Sequence, residues 1–423
     1  MSALTSSRPS PAPRPSYAAV LRVPHARRTF AAALTARLSY GTVGLAVMLA
    51  VTRATGSYAV SGTVMAVFGA ATVFLMPLRA ALVDRHGARR ALIPMASLYG
   101  ALLCALAALT WRPGTPPALL GTLAALAGAC APPLGPTMRT VWAGLLDDPR
   151  LVQRAYSLDG VAEELLYVSG PALVGVLVHF APPAAGVALS ALLIVAGTCA
   201  FVASPAVPGP RAAEPKGRPG RRFDRRLLPP VVVAAGMGLA LSGTELLVMA
   251  LATERSYDGS VVPWILAALS AGSAVGGLLN GAVDWHWPAR VRLASFAAGL
   301  GLVLAVTGLA PGVWVLTAAV ASAGLFTAPA LTTAYLLAEE TASPASRTRA
   351  GAWVNTAVNA GSSGGALLAG MLIGRVPVAV CFVLAGGVAL AAGVACLLAS
   401  GTAETSGAAK TSGAADKGAA GET

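Results

Sequence analysis

The sequence predicts an all-α membrane protein with twelve transmembrane helices in two pseudo-symmetric six-helix halves. Of its 423 residues, 56% are hydrophobic and only 11% are charged, whereas a soluble domain carries roughly 25% charged residues. Apolar runs of the length needed to cross a bilayer core of about 30 Å as a helix recur along the chain. Basic residues fall mainly in alternate gaps between these runs, as they do in multi-pass membrane proteins.

The apolar runs define the predicted spans, and many Gly, Ala and Ser residues within them permit close helix approach. The weakest breaks lie at 179–184 and 310–313, where Pro-Pro and Pro-Gly pairs separate adjacent runs. The predicted spans are 30–52, 58–79, 90–111, 116–138, 156–180, 183–203, 229–253, 260–283, 292–311, 313–338, 349–373 and 376–399.

The placement of basic residues predicts the orientation. Of the 30 Lys and Arg residues, 25 lie in the tails and in alternate gaps, and four lie in the remaining gaps. By the positive-inside rule both termini are cytoplasmic and the number of spans is even. Ten spans would also satisfy the rule, but would leave two membrane-length runs unexplained. The net charge of +13 therefore reflects a multi-pass protein of the plasma membrane, and the bases lack the aromatic interleaving typical of nucleic-acid binding.

The predicted domain boundaries follow one long polar segment in the middle of the chain. Residues 204–228, rich in Pro and Arg, form a predicted cytoplasmic linker between the halves 30–203 and 229–399. The predicted disordered cytoplasmic tails are residues 1–29 and the Gly/Ala/Ser-rich residues 400–423.

An internal echo supports the two-half interpretation. The sequence LVDRH at 82–86 is matched 200 residues later by AVDWH at 282–286, and each follows the second span of its half. Weak internal symmetry of this kind is typical of transporters built from two repeats.

The segment 79–90, RAALVDRHGARR, is a basic turn between two predicted spans. It resembles the signature loop of major facilitator superfamily transporters, Gly-x-x-x-Asp-Arg/Lys-x-Gly-Arg/Lys-Arg/Lys, with Ala80 in place of the first Gly and the basic pair shifted by one residue. The alternative is an ordinary Arg-rich hairpin. The resemblance implies a conformational loop, with its Asp braced against the start of the eleventh helix near 349–353. The matching residues are Asp84, Arg85, Gly87, Arg89 and Arg90.

A second resemblance, to the antiporter motif of the bacterial drug-efflux branch, lies in the fifth span. Gly170, Pro171 and Gly175 match the Gly-Pro-x-x-Gly-Gly core, with Val174 in place of the first closing Gly. The alternative is a Pro kink flanked by small packing residues. The other hallmark of that branch is an Arg within the fourth helix. The predicted fourth span contains no such Arg, because Arg139 falls at its cytoplasmic end.

Ionisable residues inside spans are the candidates for proton coupling, since each costs roughly 2.5–3.5 kcal/mol at mid-helix. Arg37 is interpreted as a counter-charge, although it could also snorkel to the headgroups. Glu163 and Glu164 differ by about 100° around the helix, so at most one should face a central cavity squarely; a pairing with a basic loop is the alternative. Glu245 lies far from either end of its span, which favours a cavity role.

Polar and aromatic residues within spans are the candidates for the substrate cavity, although hydrogen bonds between helices would explain them equally well. The abundance of Leu, Val, Ala and Met predicts a largely apolar cavity. Catalytic, metal-binding and cofactor motifs are missing from the sequence, which indicates a protein that is not an enzyme. The cavity candidates are Tyr40, Asn280, Tyr335, Trp353, Asn355 and Asn359.

The sequence therefore predicts a secondary transporter, which exports small hydrophobic or cationic compounds in exchange for protons by alternating access. Its expected partners are a small-molecule substrate, protons and the bilayer, and it is expected to be a monomer that binds no nucleic acid. One alternative keeps the fold and reverses the direction, as a proton symporter or facilitator that imports a metabolite. Another is a transport-inactive scaffold or sensor, against which the charged residues inside the spans argue.

Overall fold

The computed structural model describes residues 16–207, 224–258 and 261–399, whose regular elements are helices. Most of the predicted tails and residues 208–223 of the predicted linker lie outside these residues. The helices of the first half are α1 Tyr17–Arg22, α2 Ala26–Thr55, α3 Tyr58–Phe74, α4 Met76–His86, α5 Ala88–Thr110, α6 Pro117–Cys130, α7 Leu134–Leu145, α8 Pro149–Leu177 and α9 Pro183–Ala203. Those of the second half are α10 Leu228–Glu254, α11 Val261–Ala282, α12 Ala289–Thr307, α13 Val313–Thr341, α14 Arg347–Leu372 and α15 Val378–Leu398.

The helices coincide with the predicted spans, and the all-α membrane fold class is confirmed. Ten helical stretches among the described residues are long and apolar enough to cross a membrane, and the bent pair α3 and α4 supplies an eleventh. Helix α14, at the predicted span 349–373, is long enough with 26 residues but carries several Asn and Ser residues that make it less apolar. Its polar face lines a cavity, which accounts for its composition.

Proline residues break two of the predicted spans. The second span bends by 42° between α3 and α4, where Pro77 starts the new helix. The fourth span is interrupted at 131–133 and resumes as α7, which continues to Leu145. The prediction that Arg139 lies at the end of its span was therefore wrong. The predicted span treated residues 116–138 as one helix, whereas the Pro-Pro pair ends the first helix and a second helix continues beyond Arg139. Arg139 is buried inside a helix.

Part of the predicted N-terminal tail is helical. In α1, the Ser16 side chain caps the first turn and Val20 is fully buried. The Tyr17 hydroxyl donates a hydrogen bond of 2.5 Å to the carbonyl of Leu278 in the second half. The pattern of apolar residues in so short a segment was too weak to predict this helix, which spans the junction of the two halves.

The outer surface of the bundle is apolar, as lipid contact requires. Large hydrophobic side chains such as Leu192, Trp264 and Trp314 are mostly exposed. Trp264 and Trp314 lie near the first residues of α11 and α13, where an interfacial aromatic belt would place them.

Small residues permit a close helix contact in the first half. A Cβ atom on Gly170 of α8 would lie 2.3 Å from the backbone of Gly41 in α2, whereas one on Gly175 would meet no atom within 4 Å. Of the two glycines in the antiporter-like motif, Gly170 therefore has a packing role and Gly175 faces open space.

Gly170→Ala is expected to lower the free energy of unfolding by about 1–3 kcal/mol, because the two backbones must move apart. Gly175→Ala, the matched control one and a half turns further along α8, should leave stability unchanged or slightly raised. Thermal unfolding of the detergent-solubilised protein measures both. Equal melting temperatures for the two variants would contradict the close contact.

Candidate functional site

A cavity of about 500 Å³ lies in the middle of the bundle, between the two halves. Helices α7 and α8 line it from the first half, and α10, α11, α13 and α14 line it from the second. Polar side chains outnumber aliphatic ones in the lining, although carbon atoms still form the larger part of the wall. Such a wall suits amphiphilic ligands. The sequence-selected residues in the lining are Glu163, Glu164, Glu245, Tyr335, Asn355 and Asn359.

Four charged side chains form a cluster beside this cavity, within the first half. Arg37 of α2 contacts Asp159 at 2.6 Å and Glu163 at 2.9 Å. Arg139 of α7 contacts the same two carboxylates, at 3.2 Å and 2.8 Å. Asp159 and both arginines are buried, whereas about a quarter of the Glu163 side chain is exposed. The cluster is neutral overall, so each buried charge has an opposite charge in contact with it, and removal of one partner would be strongly destabilising.

Asp159 is the member of the cluster that sequence reasoning missed. It lies four residues before Glu163, so the two carboxylates share one face of α8. This four-residue spacing is the sequence signal that could have identified Asp159. It was overlooked because the predicted span began at residue 156, which placed Asp159 near the headgroups. The structure starts α8 at Pro149 and leaves Asp159 fully buried.

The other two carboxylates of the cavity have no arginine partner. Ser273 of α11 donates a hydrogen bond of 3.1 Å to Glu164, so this contact joins the two halves. Glu245 of α10 lines the cavity and has no hydrogen bond or ion pair to another residue among those described. Contrary to the sequence-based expectation, Glu163 and Glu164 both line the cavity, since the cavity is wide enough to meet two faces of α8.

An aromatic and amide group forms the part of the cavity wall that adjoins the charge cluster. The Arg139 guanidinium lies over the Tyr335 ring, 3.7 Å from its centroid, an arrangement that favours the cation. Asn355 donates to the Tyr335 hydroxyl at 3.2 Å, and Asn359 donates to Asn355 at 3.0 Å. Both asparagines line the cavity.

Three of the predicted cavity residues lie elsewhere. Tyr40 donates its hydroxyl proton to the carbonyl of Pro132 inside the first half. Asn280 is buried near the end of α11, and Trp353 lies on α14 outside the cavity lining. All three residues lie in helices, but the sequence could not show which way each side chain points.

The two halves meet at the end of the bundle that carries residues 84–90 (the loop end). The Asp84 carboxylate accepts hydrogen bonds from the backbone N–H groups of Thr348 and Arg349, at 3.1 Å and 2.9 Å. These groups belong to the first turn of α14, where the helix dipole favours a negative charge. The contact predicted from the resemblance is therefore present.

The internal echo reappears as a second contact between the two halves. Asp284, which follows α11 in the second half, contacts Arg154 at 3.3 Å and Arg150 at 3.7 Å at the start of α8. Gln153 of α8 donates to the carbonyl of Asn280 at 2.6 Å. The cavity lies beyond these contacts, so it is closed off from the loop end.

The remaining signature residues have separate local roles. Arg89 donates to the carbonyl of Val202 at the end of α9, at 2.9 Å and 3.1 Å. Gly87 has a φ of +82°, a backbone conformation that favours glycine and permits the tight turn. Arg85 and Arg90 are exposed.

Asp159→Asn is expected to lower the free energy of unfolding by about 3–5 kcal/mol, because it leaves two buried arginines with one carboxylate. Asp147→Asn, which neutralises an exposed carboxylate just before α8, should change stability by less than about 0.5 kcal/mol. Thermal or denaturant unfolding of the purified protein in detergent measures the difference. A small loss for Asp159→Asn would show that the cluster is not a closed network.

Comparison with known proteins agrees with this architecture. Residues 29–294 and 230–420 match the family model of the Major Facilitator Superfamily, whereas no curated protein sequence matches the chain. The human organic anion transporter MFSD10 (TETRAN) is similar in structure, with a TM-score of 0.68 and 14% identity over 90% of this chain and 100% of that one.

Two further solved structures share the fold. One is the E. coli fucose:proton symporter, with a TM-score of 0.66 and 12% identity over 89% of this chain and 99% of that one. The other is a bacterial homologue of the iron transporter ferroportin in an outward-facing state, with a TM-score of 0.68 and 15% identity over 88% and 96%. The family model spans both halves of the bundle, and the chain belongs to the Major Facilitator Superfamily of membrane transporters.

Proposed function

We propose that this protein exports small cationic or amphiphilic compounds across the plasma membrane in exchange for protons. The observation that carries the proposal is the mid-bundle cavity, which is closed from the loop end and contains carboxylates without arginine partners. The proposed topology places the loop end and both termini in the cytoplasm, in accordance with the positive-inside rule. The protein is proposed to act as a monomer.

The charge balance of the cavity favours cationic ligands. Arg37 and Arg139 are matched by Asp159 and Glu163, so these four charges cancel. Glu164 and Glu245 remain, and a carboxylate in a cavity of low dielectric is stabilised by a bound cation or by a proton. A cation and protons would thus compete for the same groups, which is the requirement for their exchange.

The exporter direction is supported by the two hallmarks of the drug-efflux branch. Arg139 lies within the fourth span, and the Gly-Pro motif lies in the fifth. The importer alternative has a counterpart in the E. coli fucose:proton symporter, but identity at this level carries the fold alone. Movement of substrate against an imposed pH gradient distinguishes the two directions.

Alternating access requires contacts at the loop end that can break and form again, and polar contacts between the halves meet this requirement. Rocking of the two halves would separate Asp84 from α14 and Asp284 from α8, and would open the cavity to the cytoplasm. The proton gradient supplies the energy, about 2.3 kcal/mol per charge for each 100 mV.

Glu245→Gln is expected to reduce export of a cationic dye driven by a pH gradient at least tenfold, because the amide neither ionises nor releases a proton. Glu254→Gln, at the exposed end of the same helix, serves as the matched control. Purified protein in liposomes, assayed with a panel of dyes and antibiotics, provides the measurement. Undiminished export in the Gln variants of Glu163, Glu164 and Glu245 would remove these acids from the coupling mechanism.

Asp84→Asn is expected to weaken the closed loop end by about 1–2 kcal/mol, since the amide offers one acceptor oxygen and no charge to α14. Opening should then become about 5–30-fold more frequent. The rate at which a thiol reagent labels Ser157→Cys, buried at this end, measures opening once the five native cysteines are replaced. His86→Gln, an exposed change in the same segment, should leave the rate unchanged; equal rates in Asp84→Asn and wild type would contradict the brace.

A further inference from the structure

A buried carboxylate at the loop end has no role in the site described above. Glu339 lies near the end of α13 and is 7% exposed. It is hydrogen-bonded to the hydroxyl of Tyr156 in α8, so the pair joins the second half to the first. Sequence reasoning did not select it, because residue 339 falls just outside the predicted span 313–338.

The pair separates two cavities. Tyr156 lines the central cavity, whereas Glu339 lines a second cavity of about 440 Å³ on the loop-end side. Glu340, Arg292 and Arg347 also line the second cavity. A proton that passed from Tyr156 to Glu339 would therefore move from the central cavity to the loop-end side.

The hydrogen bonds of the Tyr156 hydroxyl indicate the protonation state of Glu339. The Tyr156 oxygen lies within hydrogen-bond distance of two acceptors, the Glu339 carboxyl and the carbonyl of Arg139, the latter at 3.0 Å. A tyrosine hydroxyl has one proton and can donate to only one of them. Both contacts are satisfied when Glu339 is protonated and donates to Tyr156, which in turn donates to the carbonyl. If Glu339 were ionised, the Tyr156 hydroxyl could donate its proton to only one of the two acceptors. The other contact would then bring two buried oxygen atoms together with no proton between them.

The charges around Glu339 do not supply a partner that would keep it ionised. Arg139 of α7 faces it but contacts Asp159 and Glu163 instead. Arg347, at the start of α14, and Asp84, of α4, also face it with opposite charges. Among the described residues, no ion pair within 4.0 Å involves Glu339.

The further ionisable groups that line the second cavity are Asp147, Arg150, Asp284, Arg292 and Glu340. Arg292 of α12 donates to the side chain of Gln153 at 2.8 Å, and the exposed Glu340 is the next residue of α13 itself. The carboxyl of Glu339 thus meets a hydroxyl across the interface and no contacting cation.

We propose that Glu339 holds a proton while the loop end is closed and releases it to the second cavity when the halves separate there. Release breaks the Glu339 O–H bond and transfers the proton to water, and Tyr156 keeps its own proton. In reloading, a hydronium ion in the central cavity gives a proton to the Tyr156 oxygen as the Tyr156 proton passes to the Glu339 carboxylate, and water remains. The assignment of this proton to coupling rests on the proposed export function, because net movement runs from the central cavity to the loop end.

Infrared difference spectroscopy tests the protonation state directly, without a transport substrate. The purified wild-type protein should show the carbonyl-stretch band of a protonated carboxylic acid, and one component of that band should be lost in Glu339→Gln. Glu340→Gln, one residue further along and exposed, is the matched control and should retain the component. Retention of the full band in Glu339→Gln would overturn the proposal.

The second measurement follows opening of the loop end as a function of pH. Spin labels at His86→Cys and Ser343→Cys, in a background without native cysteines, report the distance between the halves by pulsed electron paramagnetic resonance. Since the closed form binds one proton more, raising the pH should favour the open form, by up to about tenfold per pH unit. Glu339→Gln should flatten this slope, and Glu340→Gln should preserve it.

Tyr156→Phe provides a second variant should Glu339→Gln fold poorly. It removes the hydroxyl that accepts the proton of Glu339, so the carboxyl component of the band should shift and the pH slope should decrease. A slope as steep as that of the wild type in both variants would overturn the proposal. Failure of the export proposal has a different signature: the wild type would move no dye under a pH gradient, while the infrared band and the pH slope would keep the behaviour expected here.

Discussion

Ion pairs among four charged side chains in the middle of the bundle organise the first half of this protein. Arg37, Arg139, Asp159 and Glu163 come from three helices, and each arginine contacts both carboxylates. Removal of one member would leave an uncompensated charge away from water, at a cost of several kcal/mol. The cluster therefore fixes α2, α7 and α8 as one body, and this body supplies a wall of the cavity. Small residues such as Gly41 and Gly170 make the same body compact.

The contacts between the halves contribute less free energy than the ion pairs of the charge cluster. Asp84 and Asp284 occupy equivalent positions 200 residues apart, but the first accepts backbone N–H groups of α14 and the second pairs with arginine side chains of α8. A carboxylate at a helix N-terminus contributes about 0.3–2 kcal/mol, and a partly exposed ion pair contributes less than about 1 kcal/mol. Bonds of this size are weak enough to be broken without unfolding the protein, whereas removal of one member of the charge cluster would cost about 3–5 kcal/mol.

The sequence was sufficient for the fold because hydropathy, helix length and charge placement are all set by the bilayer and act locally along the chain. The contact of Asp84 with the start of α14 was predicted from a short motif. The partners of Arg139 were not predicted, since one misplaced helix end moved this residue from a buried face to the headgroups. Tyr40 and Asn280 show the same limit, because membership of a span does not reveal the direction of a side chain. Glu339 was missed because it falls one residue beyond the predicted span 313–338, and its partner Tyr156 lies 183 residues away.

The free-energy cost of protonation differs among the carboxylates of the central cavity, and this cost decides which of them are suited to carry a proton. Protonation of Glu163 would leave Arg37 and Arg139 with Asp159 alone, and breaking a buried pair costs about 3–5 kcal/mol. That exceeds the roughly 2.3 kcal/mol that one charge gains from 100 mV. Glu164 bonds a serine hydroxyl, and Glu245 faces the cavity without a contacting partner, so protonation of either breaks no ion pair. The arginine-bound carboxylates are therefore suited to structure, and the carboxylates that lack arginine are suited to exchange.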